Sequence, residues 1–294
     1  MQMAAGFARI RSVLGVLPEA VGKQMDDHGN RPNADSQAVA EFAKCADSEA
    51  PRTLYSQAGI ALVVAGDNMF ALDRVLTEPV MSFAPWVLGR TILEAASLAM
   101  WLLDPTVDLE TRMSRSMSLR LSHLRDQATY ARTAPRRQVE AEDQLTHAVS
   151  HVAERVKSIE MQGRQLGIPL KRDKKGRLIG FGCGMPPATQ LADIFGEAST
   201  YRLLSGLAHG RMWAQLALGM RRTRSDEPAV EQHVTPVAAL FLVVCAVEWF
   251  SRPAWNYFQL NGWDVIRLAA TLERAYDQVG LGEHTRFWRM AARE

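Results

Sequence analysis

Apolar residues in this chain return every three or four positions over long stretches, the spacing of a helix with one buried face. Between Leu54 and Leu76 the series is Leu54, Ala58, Ala61, Leu62, Ala65, Met69, Leu72 and Leu76, which predicts one long helix. Glu78-Pro79 ends it, because the residue before a proline avoids helical backbone angles. Ser82 is placed to cap a second helix that runs through Trp86, Leu93 and Leu98 to Leu103, and Asp104-Pro105 closes it. A third helix is predicted over Val107 to Ala131. A fourth runs from Pro135, near its first turn, to about Leu166.

The pattern changes between Gly163 and Gly184, where six glycines fall. Leu170-Lys171-Arg172 and Arg177-Leu178-Ile179 flank Asp173-Lys174-Lys175-Gly176, a composition suited to a short hairpin or an exposed loop. Beyond Pro186-Pro187, Thr189 is expected to cap a helix starting at Gln190, and a further helix is predicted over Ser199 to Met220. A polar loop, Arg221 to Pro228, precedes an apolar helix from about Thr235, and Asp264 to Arg293 reads as two shorter amphipathic helices. No internal repeat is visible. The expected architecture is all-α: one helical bundle domain over residues 1–294, with a helical extension at 1–50 and a hairpin or loop insertion at 167–186.

Composition narrows the class. The chain has 294 residues, 47% of them hydrophobic, enough to bury a sizeable core and unlike a disordered chain. Basic residues number 34 against 32 acidic, and a net charge of +2 excludes a histone-like protein. Cys45, Cys183 and Cys245 lie far apart, which excludes a disulfide scaffold and a cysteine-based zinc site and suits a reducing compartment. Arg9 and Arg11 interrupt the N-terminal segment where a signal peptide would be uniformly apolar. The longest uncharged apolar run, Val234 to Val247, spans 14 residues and contains Pro236. A bilayer needs about 20, so a buried core helix, a cytoplasmic location and no membrane partner are expected.

The near-neutral total conceals local excess. From Arg112 to Arg137 there are seven arginines (Arg112, Arg115, Arg120, Arg125, Arg132, Arg136 and Arg137) against one acid, Asp126. From Glu154 to Arg177, eight basic residues face three acids. Such a stripe suits a phosphate backbone, with Arg120, Arg125 and Arg132 as the nucleic-acid-binding positions, or it is a solvated helix face.

The chemistry-bearing segment is Tyr201-Arg202-Leu203-Leu204-Ser205-Gly206-Leu207-Ala208-His209-Gly210. Arg202 and His209 are seven residues apart, about two helical turns, and share a helix face on which Ser205 lies between them. A fixed cation beside an imidazole suits phosphate recognition coupled to proton transfer. The same residues would also serve as a structural histidine and a salt-bridge partner. Arg90 and Glu94 sit one turn apart among apolar residues, so Glu94 needs a cation that Arg90, Arg112 or Arg115 would supply. Either this is an internal salt bridge or Glu94 orients His209 in a polar pocket, to which Asp67 is a further candidate contributor.

An arginine and a histidine with six residues between them resemble the signature of the HEPN superfamily, whose members are helical and often dimeric. Pro85-x4-Arg90-x3-Glu94 on an early helix, then Arg112 and Arg115, then Tyr201-x3-Ser205-x3-His209-Gly210, is similar to bacterial HEPN-like proteins over roughly Leu54 to Leu218. Leu203 stands where the ribonuclease pattern carries a polar residue. The resemblance implies a homodimer and a metal-independent endoribonuclease without cofactor, acting on RNA in a defence or toxin-type role. It implies that His209 handles the 2′-hydroxyl or leaving-oxygen proton, that Arg202 holds the phosphate, and that Ser205 supports them. The rival expectation is a non-catalytic helical protein whose Arg202/Glu94/His209 cluster is structural or holds a small ligand.

Other motifs point elsewhere. Gly180 to Gly184 lacks a P-loop lysine and reads as a flexible connection. His147 and His151 are i,i+4 but have no third ligand nearby, so no metal site is expected. The aromatic group Trp249, Phe250, Trp255, Tyr257, Phe258 and Trp263 reads as core or dimer interface.

Overall fold

Long amphipathic segments formed as helices wherever a buried face was available. The computed structural model describes residues 2–77, 81–133, 139–217 and 236–278. Helices make up 76% of it, eleven of them among the described residues, beside one two-stranded sheet. The protein is an all-α helical bundle carrying a short hairpin. The chain divides into two compact units, each assembled from segments distant in sequence.

The first unit comprises Met1–Ala40, Ala58–Leu103 and Ala188–Glu294. Its helices are α1 (Gln2–Asp27), most of α3 (Ala50–Val75), α4 (Ala84–Leu102), α7 (Ala188–Ala192), α8 (Ala198–Ala208), α9 (Met212–Ala217), α10 (Pro236–Asn261) and α11 (Val265–Gln278). α10 packs against α4 and α1, α11 against α1, and α8 against α4. The predicted 54–76 helix is α3, starting four residues earlier. Ser82 is not the cap of α4: Phe83 takes that position without a side-chain bond, and Pro85 fills the first turn, where no N–H is needed. Thr189 likewise lies inside α7 rather than before it.

The apolar run that stops at Glu248 belongs to a longer helix. α10 continues to Asn261 because Glu248 and Arg252 pair one turn apart at 2.5 Å and so remain tolerable on a mostly apolar helix. Val237–Asn261 is long and apolar enough to cross a membrane by length and composition, and 56% of its most apolar window is buried within the chain. The aromatic group at its end is consumed by this unit's own core. Trp249, Phe250, Trp255, Tyr257, Phe258 and Trp263 are all buried, Trp263 with His28 stacked on it and its indole N–H donated to the Arg31 carbonyl at 3.0 Å. Arg136, Arg137, the 221–228 loop, Thr235 and the second tail helix lie outside the described residues.

The second unit comprises Glu41–Gln57 and Asp104–Pro187. It contains the end of α2 (Gln37–Lys44), the start of α3, then α5 (Leu109–Thr133) and α6 (Val139–Gln165). The glycine-rich insertion is a hairpin, β1 (Leu170–Arg172) and β2 (Leu178–Phe181), antiparallel with Leu170 opposite Phe181 and Lys171 opposite Gly180. Asp173 builds the turn, its carboxylate accepting the Lys175 and Arg177 backbone N–H groups at 2.9 Å each. Met113, Met117, Leu121 and Leu124 of α5 meet Val152 and Ile159 of α6 and Leu178 and Phe181 of the hairpin in one buried cluster. Ser118 fastens the strand end to α5, accepting the Phe181 N–H at 3.0 Å and donating to the Cys183 carbonyl at 2.7 Å.

At the base of this unit, a charge is sealed from water. The Arg112 side chain is 1% exposed and pairs with Glu41, 5% exposed, whose other oxygen accepts the Tyr55 hydroxyl at 2.9 Å. Burial, and then Glu41, push the Tyr55 phenol well above its usual range. Arg112→Leu leaves Glu41 buried without its cation and should cost about 3–5 kcal/mol in urea unfolding. Replacing both partners by leucine should recover most of that loss.

The hairpin turn should respond to acid. The Arg177 backbone and guanidinium hold the Asp173 carboxyl below its usual range, and Arg164, then Arg172, do the same for Glu160 against a small burial effect. A depressed native pKa gives stabilisation that is complete above the ordinary carboxylate value of about 4 and is lost as pH falls through the native value. Protection of the amides in residues 170–181, relative to their intrinsic exchange, should therefore fall only below that range, whereas Asp173→Asn should show weakened protection at every pH.

Candidate functional site

The predicted 199–220 helix is two helices, and the break between them creates the site. α8 ends at His209 because Gly210 adopts the left-handed conformation, φ +64°. The Arg211 N–H then bonds the Gly206 carbonyl at 2.8 Å and the Gly210 N–H bonds the Leu207 carbonyl at 3.0 Å, the paired closure that stops a helix after its C-cap. α9 then folds closely against α8. A Cβ on Gly206 would lie 2.8 Å from both the Ala214 Cβ and the Trp213 ring. The interruption was written in His209-Gly210, but apolar positions at Trp213 and Leu216 continued the helical spacing across it.

Ending α8 at this point leaves the His209 side chain exposed beside α4. Arg90 is the hub there. Its Nε donates to Glu94 Oε1 at 2.9 Å, its Nη2 to the Tyr201 hydroxyl at 3.2 Å, and its Nη1 lies 3.3 Å from His209 Nε2. The Tyr201 hydroxyl donates in turn to Glu94 Oε1 at 2.8 Å, and the guanidinium lies 5.5 Å from the Tyr201 ring centroid. Arg90, Glu94 and Tyr201 thus form a closed triangle whose open corner is the imidazole. With its proton on Nδ1, His209 accepts from Arg90 through Nε2.

The triangle fixes protonation states. Burial works to lower the Arg90 pKa, but hydrogen bonds and charge from Glu94, with help from Tyr201, outweigh it and hold the guanidinium charged. Burial, then Glu94, raise the Tyr201 phenol, with Arg90 opposing. The cluster therefore offers a permanent cation, locked in orientation, against a solvent-open imidazole.

The other expected residues fall as follows. Arg202 is exposed on α8 and makes no hydrogen bond or ion pair among the described residues. It lies about 10 Å along the helix from His209, at roughly 1.5 Å per residue. Ser205 is half-buried between them. Glu94 reaches Arg90 and Tyr201, and Arg90 is the group in contact with the imidazole. Asp67 is exposed on α3 and not part of a buried polar pocket.

Arg112 and Arg115 belong to the second unit, where Arg112 is buried on Glu41 and Arg115 pairs with Asp104 at 3.1 Å, while the cation on Glu94 is Arg90. The arginine stripe there is divided. Arg125 and Arg132 line one groove, whose lining does not include the half-buried Arg120. Burial and then the nearby Arg155 lower the Arg120 pKa. His147 and His151 are both exposed on α6, and no group of three or more metal-ligating side chains occurs among the described residues.

Two residues of the site carried no separate role in the sequence. Tyr201 is the hydroxyl that joins Glu94 to Arg90, and its signal was its place eight residues before His209, on the same helix face. Trp213 is 54% exposed on α9, flanked by exposed Met212 and Leu216, an apolar patch beside the turn that carries His209. No protein-family model, curated protein or solved structure matches this chain.

Tyr201→Phe should lower stability by about 1 kcal/mol in denaturant unfolding, the net value of a typical hydrogen bond. A raised native phenol pKa means that this contribution is complete below the unfolded value of about 10 and is lost as pH rises through the native one. In an ultraviolet titration, the variant should lack one late-ionising tyrosine.

Proposed function

We propose that this chain is a HEPN-like, nucleic-acid-directed protein of the cytoplasm whose His209 cluster is a metal-independent endoribonuclease site, in a defence or toxin-type role. The observation that carries this reading is the exposed imidazole held 3.3 Å from an arginine that two other side chains orient. In the proposed reaction, His209 takes the proton of a ribose 2′-hydroxyl. The 2′-oxygen then bonds to phosphorus, and the 5′-oxygen leaves with a proton from a second acid. The products are a 2′,3′-cyclic phosphate and a 5′-hydroxyl. Arg90, released from the imidazole, faces the phosphate and stabilises its added negative charge, with Arg202 as the outer anchor. The second acid is the His209 of another copy. The exposed patch of Met212, Trp213 and Leu216 beside the turn is the apolar surface that such a pairing would cover.

A second reading has its own observation. Arg90, Glu94 and Tyr201 satisfy one another without any ligand, as a structural network or small-ligand pocket would.

Purified protein mixed with cellular RNA separates the two. Cleavage that chelators leave untouched and His209→Ala abolishes, with the fold intact by circular dichroism, supports the ribonuclease. Arg202→Lys should also slow cleavage, because a point charge replaces a planar fork. RNA left whole by the parent protein, or cut equally by His209→Ala, sinks it and leaves the network reading. Light scattering should give a dimer that Trp213→Ser converts to a monomer. A parent monomer at micromolar concentration would refute the shared site.

A further inference from the structure

The second unit carries a concavity that the His209 reading does not use. α5, α6 and the hairpin enclose a groove of about 610 Å³. Its apolar floor is Leu121 and Leu178, both buried, with Val156 at the side and Ile179 at the mouth. Volumes of about 300–1,000 Å³ with a largely apolar lining and a few fixed polar groups are those of small-molecule sites. A nucleic-acid duplex needs a longer and flatter surface.

The polar groups of the groove are unequally matched. Glu160 is taken by Arg164 at 2.8 Å and by Arg172, both outside the lining. Asp173 is taken by Arg177 at 2.6 Å and by two backbone N–H groups of its own turn. The carboxylates are thereby spent on other cations. Arg125 donates to the Leu178 carbonyl, which holds its guanidinium over the floor. Among the described residues Arg132 hydrogen-bonds only the Thr129 hydroxyl, at 3.5 Å. Among the described residues neither Arg125 nor Arg132 has a carboxylate partner. Two guanidiniums, seven residues and about two turns apart on one face of α5, therefore overlook an aliphatic floor with donors to spare.

We propose that this groove binds a small amphipathic oxyanion, a phosphate or carboxylate head on an aliphatic body, with the head between Arg125 and Arg132 and the body along Leu121, Val156 and Leu178. Arginine suits the head because its planar fork matches either anion bidentately. Among the described residues the lining contains no aromatic side chain, so a stacked base is not the body it fits. The inference is independent of the His209 reading, and either can fail alone.

Titration calorimetry on the full chain tests it with decyl phosphate and decanoate, both below their micelle-forming concentrations. Inorganic phosphate supplies the head alone, and decyltrimethylammonium supplies the same tail with the opposite charge. Both decyl anions should bind at one site per chain. Whichever is tighter identifies the head as phosphate or carboxylate. Inorganic phosphate should bind far more weakly, and the cationic amphiphile not at all. Arg132→Gln should weaken the anions about tenfold, the value of a charged hydrogen bond, and Arg132→Glu more. Ile179→Asp should weaken them as well. Arg132 and Ile179 are both exposed, so the variants should keep the parent's circular dichroism. Equal binding of the cationic amphiphile, no binding of either decyl anion, or affinity unchanged in Arg132→Glu would overturn the proposal. A ten-residue oligouridylate that binds more tightly than decyl phosphate and loses affinity in the same variants would also overturn it, in favour of an RNA surface.

Discussion

Taking a guanidinium out of water is affordable only when a carboxylate goes with it, and that requirement governs the most deeply buried charge of this chain. Arg112 is the extreme case, sealed against Glu41 with Tyr55 completing the carboxylate's second oxygen. Arg115 on Asp104 and Arg11 on Asp73, at 2.9 Å, repeat the arrangement with more solvent. Arg90 on Glu94 repeats it again, with one donor left to face an imidazole. Pairing of this kind contributes less to net stability than apolar packing, since desolvation consumes much of the attraction. Its effect is to forbid alternatives, because a mispaired interior charge costs several kcal/mol, at least about 3. Among the described residues, Arg202 in the first unit and Arg125 and Arg132 in the second are among the arginines that pair with no carboxylate.

Helical periodicity made most of the fold legible. The segments of α3, α4, α5 and α6 were evident because each has a buried face at regular spacing and a proline or charged residue near its ends. The hairpin was legible as a choice between hairpin and loop, settled by Asp173 bonding its own turn and by Ser118 holding the strand end. Helix caps are less legible. Ser82 and Thr189 have good capping chemistry, yet local geometry placed Phe83 at one helix start and began the other before the threonine. Side-chain preference is a weak force beside the packing of whole helices.

The site was legible in its members and not in its connections. Arg90, Glu94, Tyr201 and His209 all stand in the sequence at helical spacing, but α4 and α8 are over a hundred positions apart, and one chain gives no measure of that distance. The expected Arg202–His209 partnership followed from spacing along one helix. The structure instead puts Arg90 against the histidine, because contact across two packed helices is shorter than two turns along one. Arg112 and Arg115 misled for a related reason. They are near Arg90 in sequence, but the chain passes into a different compact unit at Asp104.

A two-stranded sheet consists entirely of edges, and exposed edges invite pairing with strands of other molecules. This hairpin answers with brevity and charge. Its strands are three and four residues long, and Lys171, Arg172, Lys174, Lys175 and Arg177 are all exposed on or next to them. Arg125 also occupies the Leu178 carbonyl, removing one acceptor from those that an incoming strand would need. A second hairpin brought alongside would meet the same positive charges, so like repels like before hydrogen bonds can form. The residues that make the insertion basic therefore also protect the chain from cross-β self-association.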